Sequence, residues 1–146
     1  MARYRNALPQ LNGALFLTDG GIETTLIFLE GLELPDFAAF ELLKRPEGEA
    51  ALGKYFRTYA ALAKKFGTGL ILEAATWRAN PDWAARLGYS REGLVNANLK
   101  AVRLLERIRD EFEDARTTVV ISGCVGPRGD GYNPAFKMTE TEAESY

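Results

Sequence analysis

Three short apolar runs along the chain alternate with longer stretches in which apolar side chains return every three or four positions. Residues 14–18 (ALFLT) stop at Asp19-Gly20-Gly21 and predict a buried strand followed by a tight turn. Residues 69–74 (GLILEA), with their unbroken Leu70-Ile71-Leu72, predict a strand covered on both faces. Residues 117–122 (TTVVIS) are β-branched and apolar and predict a third strand.

Helical periodicity fills the intervals. A short helix is expected over residues 23–30, with Gly31 just past its end, and an irregular apolar stretch over 35–40, packed over an end of the sheet. Pro46 suits the first turn of a long helix whose stripe is Leu52, Tyr55, Phe56, Tyr59, Leu62, Ala63 and Phe66, with Gly67 as its stop. Asn80 caps a short helix that starts at Pro81 and reaches residue 87. Ser90 caps another, to about residue 114, with Leu94, Ala101, Val102, Leu105, Ile108 and Phe112 inward. Residues 123–137, with four glycines and two prolines, read as loop, and Thr139-x-x-Glu142 is a capping box that starts a further helix.

Strand, helix, strand, helices, strand is the order of a parallel sheet with right-handed crossovers, so the fold class is α/β. We expect one domain over residues 1–146. Three strands leave both sheet edges unpaired, and the last helix begins with little chain to follow it, which together imply part of a larger assembly of strands.

Composition narrows the function classes. Apolar residues make up 47% and charged residues 26%, the balance of a folded globular chain. The net charge of −2, with basic residues dispersed, implies no nucleic-acid partner. No secretory signal and no bilayer-spanning run is found, so a cytoplasmic protein with no membrane partner is expected. The single Cys124 makes an internal disulfide impossible. Without any histidine, a Ser-His-Asp triad, a Cys-His pair and a His-ligated metal are excluded within this chain.

Three blocks then carry a resemblance. Leu17-Thr18-Asp19-Gly20-Gly21-Ile22-Glu23-Thr24-Thr25-Leu26 resembles the opening strand and turn of the homocysteine S-methyltransferase family. Thr76-Trp77-Arg78-Ala79-Asn80 is similar to the family's Thr-aromatic-x-Ala-Ser segment. Ser122-Gly123-Cys124-Val125-Gly126-Pro127, with Gly129, resembles its Gly-Pro loop after the third strand. The blocks come in the family's order and spacing, each at the end of a predicted strand. The resemblance implies the N-terminal part of a TIM (β/α)8 barrel, about three parallel strand–helix units of a fold that takes roughly 250 residues. It further implies methyl transfer to the thiol of homocysteine or a related amino-acid thiol, from a donor such as S-methylmethionine, betaine or methylfolate. Zinc is the implied cofactor, held in the family by three cysteine thiolates on later segments. Those ligands are absent here, so no metal-binding residue and no catalytic residue is expected in this chain, and the chain by itself is expected to be inactive.

The candidate substrate-binding residues are Asp19, Gly20, Gly21, Glu73 and Thr76. Asp19 at a strand end suits the α-ammonium of an amino acid, and Gly20 and Gly21 allow a ligand close to the backbone; the alternative is a plain Asp-Gly turn. Glu73, near the end of its strand, is either a partly buried carboxylate with a raised pKa or a salt-bridge partner of Arg78. Thr76 offers an amide and a hydroxyl to a substrate carboxylate. Ala75 stands where the family commonly has Asn, which puts homocysteine itself in question as acceptor. Glu23 serves either the site's mouth or its own helix dipole, with the helix favoured. Trp77 and Trp83 are read as packing or as lining of the mouth. Cys124 reads as a small, at least half-buried residue, with Arg128 the cation a reactive thiolate would need. The glycine-rich loop 126–131, anchored by Arg128, is a rival phosphate site that lacks the Lys-Ser/Thr of a P-loop.

Two further readings compete with the enzyme part. One is a non-catalytic binding or interaction module that self-associates, as a homo-oligomer, through its open sheet edges. The other is a small doubly wound α/β protein with helices on both faces and a different strand order.

Overall fold

The computed structural model describes residues 3–133 and 137–146. Three parallel strands, β1 (Phe16–Thr18), β2 (Gly69–Glu73) and β3 (Val119–Ser122), lie in one open sheet in the order β1-β2-β3. Phe16 pairs with Gly69, Leu70 with Val119 and Glu73 with Ser122. Two strands are shorter than the apolar runs that encode them. Pairing on β1 begins at Phe16 because β2, its one neighbour among the described residues, begins at Gly69. Thr117 is held out of the β3 ladder by a tight turn in which its amide bonds to Asp114.

α1 (Ile22–Thr24) follows the Asp19 turn and widens into a π-helical stretch, Thr25–Leu29; Gly31 beyond it has φ +68°. α2 (Pro46–Phe66) carries the chain from β1 to β2 and stops at Gly67, whose φ of +63° ends the helix in the left-handed conformation. α3 (Pro81–Arg86) and α4 (Arg91–Phe112) connect β2 to β3. The Asn80 and Ser90 side chains accept from the amides of Trp83 and Gly93, as cap chemistry requires. α5 (Glu140–Ser145) starts at the complete capping box of Thr139 and Glu142. The stretch expected to be irregular is two 3-10 turns, Pro35–Phe37 and Ala39–Lys44. It covers α2 and α4 rather than an end of the sheet, because Phe40, Leu42 and Leu43 are buried between those helices. Of the loop expected over 123–137, residues 134–136 lie outside the described residues.

Both crossovers lie on the same face. α2 packs on β1 and β2, α4 packs on β3, and the two helices pack on each other. Leu70, Leu72, Val119, Leu105 and Ile108 are fully buried in the layer between them. Full burial of such a side chain is worth about 1.5–3 kcal/mol. Sequential strand order with neighbouring helices on one face matches consecutive units of a β/α barrel, and among the described residues α2 and α4 do not take the opposite faces expected of the doubly wound alternative. The other face carries Phe16, Thr18, Ile71 and Glu73, so residues alternate between a sealed and an open side. Gly69 on that face lies under the Phe16 ring, 2.3 Å from where a Cβ would stand.

Some inward assignments from periodicity fail at the helix margins. Leu62 and Phe66 on α2 and Val102 on α4 are exposed, Phe66 by 67%. Val102 joins Val95 and Leu99 in a second apolar stripe on α4 that is exposed among the described residues.

Candidate functional site

At the C-terminal ends of the strands, on the open face, lies a cleft of about 370 Å³. Three segments build it: the Thr18–Glu23 turn after β1, Ile71 to Ala75 at the end of β2 with Trp77 beyond, and Cys124 after β3. Parallel strands that twist together bring their carboxyl ends to one side, so loops far apart in sequence converge there.

Asp19, Gly20, Gly21 and Glu73, four of the expected substrate-binding residues, share this cleft, and Glu23, Ala75 and Trp77 line it with them. Asp19 is half-buried and held from behind by α2, where the Tyr55 hydroxyl lies 3.0 Å from Asp19 Oδ2 and 3.0 Å from the Gly20 carbonyl. Burial raises the Asp19 pKa; the Tyr55 and backbone hydrogen bonds oppose that rise, and the Glu73 charge adds to it. Burial also raises the pKa of Glu23, with its own backbone hydrogen bond and Arg78 pulling the other way and Asp19 and Glu73 pushing up. Glu23 therefore faces the mouth while also occupying the first turn of α1. Glu73 is exposed rather than partly buried, since it projects from the uncovered face. Arg78 pairs with Asp130, at 3.9 Å, instead of with Glu73.

The thiol of Cys124 is half-buried and its pKa is pushed up to about 12, first by desolvation and then by the Glu73 hydrogen bond and the charges of Glu73, Glu23 and Asp19. Carboxylates surround it in place of the cation that a reactive thiolate would need. The cleft thus combines a set of carboxylates, a protonated thiol and an aromatic wall, chemistry that accepts a cationic group such as an ammonium.

Thr76 is not part of the cleft wall. Its hydroxyl donates to the Cys124 carbonyl at 2.8 Å and its amide to the Ala74 carbonyl, so both donors serve the backbone. They belong to a clasp between the loops after β2 and β3. Trp83 Nε1 donates to the Gly129 carbonyl, Asn80 Nδ2 donates to the Pro127 carbonyl, and Gly126 sits so close to Trp77 that a Cβ would lie 1.7 Å from its carbonyl oxygen. Arg78 is buried in the same clasp, its guanidinium 3.8 Å from the Trp83 ring centre and 4.6 Å from that of Trp77. Arg128, the anchor of the rival phosphate reading, donates to Asp82 at 3.0 Å.

Sequence reasoning placed Tyr55 and Tyr59 in the buried stripe and missed their polar role. The signal was present: a buried tyrosine hydroxyl needs a partner, and two tyrosines one helical turn apart in a core stripe point to a polar target. Gly20 is explained the same way. A Cβ there would stand 2.9 Å from the Tyr59 hydroxyl, so the second residue of the turn is small to fit the helix behind it.

Among the described residues, no group of three or more His, Cys, Asp or Glu side chains is placed to hold a metal ion. Nor is any described helix long and apolar enough to cross a membrane. In comparison with known proteins, the family described as homocysteine S-methyltransferase matches over residues 16–146, from the first residue of β1 onward. No curated protein and no solved structure matches the chain.

Proposed function

Because the chain belongs to the homocysteine S-methyltransferase family, we propose that its strand-end cleft is the amino-acid-binding wall of a site that methylates the thiol of homocysteine or a related amino-acid thiol. The observation that carries this reading is Asp19: a carboxylate at the end of β1, fixed by Tyr55 and opening into a carboxylate-rich cleft. Its negative charge pairs with the substrate α-ammonium, and Gly20 and Gly21 keep side chains out of the ligand's way. Glu73 stands across the cleft and adds to the field that favours a cation. Ala75 presents only a methyl group to the same space, so the wall offers no amide there to a substrate carboxylate.

Zinc, which in this family makes the substrate thiol nucleophilic, does not fit the residues of this chain. A three-thiolate shell needs three cysteines, and the single one here holds its proton up to about pH 12. No catalytic role is therefore assigned to any residue of this chain. It supplies binding and orientation, and the thiolate set comes from other polypeptide, so the chain by itself is inactive. A reducing cytoplasm suits a lone cysteine that forms no disulfide.

Calorimetric titration with L-homocysteine tests the reading. The wild-type chain binds saturably, and Asp19→Asn weakens binding by roughly tenfold or more, the worth of a hydrogen bond to a charge. Equal affinity in both proteins would sink it. Metal analysis returning one tight zinc per chain would contradict the division of labour.

A second reading has its own support. Among the described residues both sheet edges are unpaired, the stripe Val95, Leu99 and Val102 is exposed on α4, and Leu62 and Phe66 are exposed on α2. These surfaces suit self-association of an interaction module. Sedimentation showing a concentration-independent monomer would exclude it.

A further inference from the structure

We infer that Tyr55 is a positioning residue of the cleft, its hydroxyl orienting the Asp19 carboxylate from behind so that the carboxylate meets an incoming α-ammonium. This rests on the reading of Asp19 as the ammonium partner. Tyr55 is 6% exposed, and its hydroxyl has two acceptors, Asp19 Oδ2 and the Gly20 carbonyl, each at 3.0 Å. Both belong to one turn, so the single phenol proton holds that turn to α2 whichever acceptor it favours. The ring cannot easily swing away. Phe56 meets it edge-on with centroids 5.2 Å apart, and Tyr59 packs against it at 5.2 Å. Tyr59 in turn fills the space a side chain on Gly20 would need. The helix surface and the turn are therefore fitted to each other, and the hydrogen bond to one carboxylate oxygen sets the carboxylate's rotation.

The charged surroundings give that bond a second consequence. Around Asp19 stand Glu73 from β2, Glu23 from α1, the Cys124 thiol after β3, and Tyr55 and Tyr59 from α2; Arg78 reaches this group through Glu23. Burial and the Glu73 charge favour a protonated Asp19. Against them act only the Tyr55 hydroxyl and the backbone. A protonated Asp19 has no charge for an ammonium, so the tyrosine both aims the carboxylate and helps keep it ionised.

Tyr55→Phe keeps the ring and removes the donor. In ligand-free protein labelled with 13C at the aspartate carboxyls, the Asp19 signal, assigned by its loss in Asp19→Asn, should titrate at higher pH in Tyr55→Phe than in the wild type. A role confined to packing would change stability and leave that midpoint where it was. Homocysteine affinity at pH 7 should fall by roughly threefold to tenfold, the range for one ordinary hydrogen bond, since Tyr55 acts on the ligand only through Asp19. If Tyr55→Phe does not fold, replacing the tyrosines by 3-fluorotyrosine makes the phenol a stronger donor, and the Asp19 midpoint should move down. An unmoved midpoint overturns the role of Tyr55 whatever the ligand does. A moved midpoint together with affinity indifferent to Asp19→Asn overturns the ammonium reading instead, and the positioning role with it.

Discussion

The two faces of the sheet differ as stability differs from function. On the helix-covered face, Leu70, Leu72 and Val119 are fully buried in one apolar cluster with residues of α2 and α4. On the open face Thr18 and Glu73 are exposed, and just beyond β1 Asp19 and Glu23 sit half-buried with raised pKa values. Strand alternation puts these sets one residue apart in sequence. A chain can thus seal one side and keep unfavourable carboxylates on the other without either disturbing the neighbouring side chain.

The largest expected effect lies on the sealed side. Leu70→Ala should cost about 2–5 kcal/mol in denaturant unfolding, since a cavity opens between sheet and helices. A loss below 1 kcal/mol would mean the face is less tightly packed than its burial implies. Next is a packing position on the open side. Gly69→Ala forces a methyl into the Phe16 ring and should cost about 1–3 kcal/mol, while homocysteine affinity stays unchanged because Gly69 is at the far end of the strand from the cleft.

A smaller effect, of opposite sign, is expected from the carboxylates. Asp19 and Glu23 have folded-state pKa values above their ordinary 3.8 and 4.5. The native state therefore holds these protons more tightly than the unfolded chain. The stability this contributes is complete below the unfolded values and is lost as pH rises through the folded ones. Asp19→Asn and Glu23→Gln should each become more stable relative to wild type as pH rises from below 4 through that window, read as the difference between unfolding midpoints. Differences that grow in the other direction would show the carboxylates to be stabilised rather than strained. The smallest change is chemical. Glu73→Gln removes a carboxylate beside Cys124, so the pH profile for thiol alkylation should shift downward from about 12, with little change in stability.

Much of this was legible beforehand because it depends on local rules. The caps at Asn80, Ser90 and Thr139, the stop at Gly67 and the parallel strand order follow from residue chemistry and periodicity. Asp19, Gly20, Gly21 and Glu73 could be placed at strand ends, and strand ends of a parallel sheet converge. What could not be read is where surfaces meet. Leu62, Phe66 and Val102 have the spacing of core residues but stand exposed, since periodicity marks a stripe and not where the facing element ends. Thr76 has the chemistry of a ligand contact, yet the close approach of the loops after β2 and β3 claims its hydroxyl. Tyr55 looked like core because nothing local reveals that Asp19, 36 positions earlier, stands opposite it.

The contrast between the faces is tested most directly by mapping amide chemical shifts as L-homocysteine is added to the uniformly labelled chain. The account predicts saturable shifts centred on Thr18 to Glu23 and on Glu73 to Ala75, absent in Asp19→Asn, with the amides of α4 undisturbed. Shifts centred on α4, or a response that survives Asp19→Asn, would contradict it.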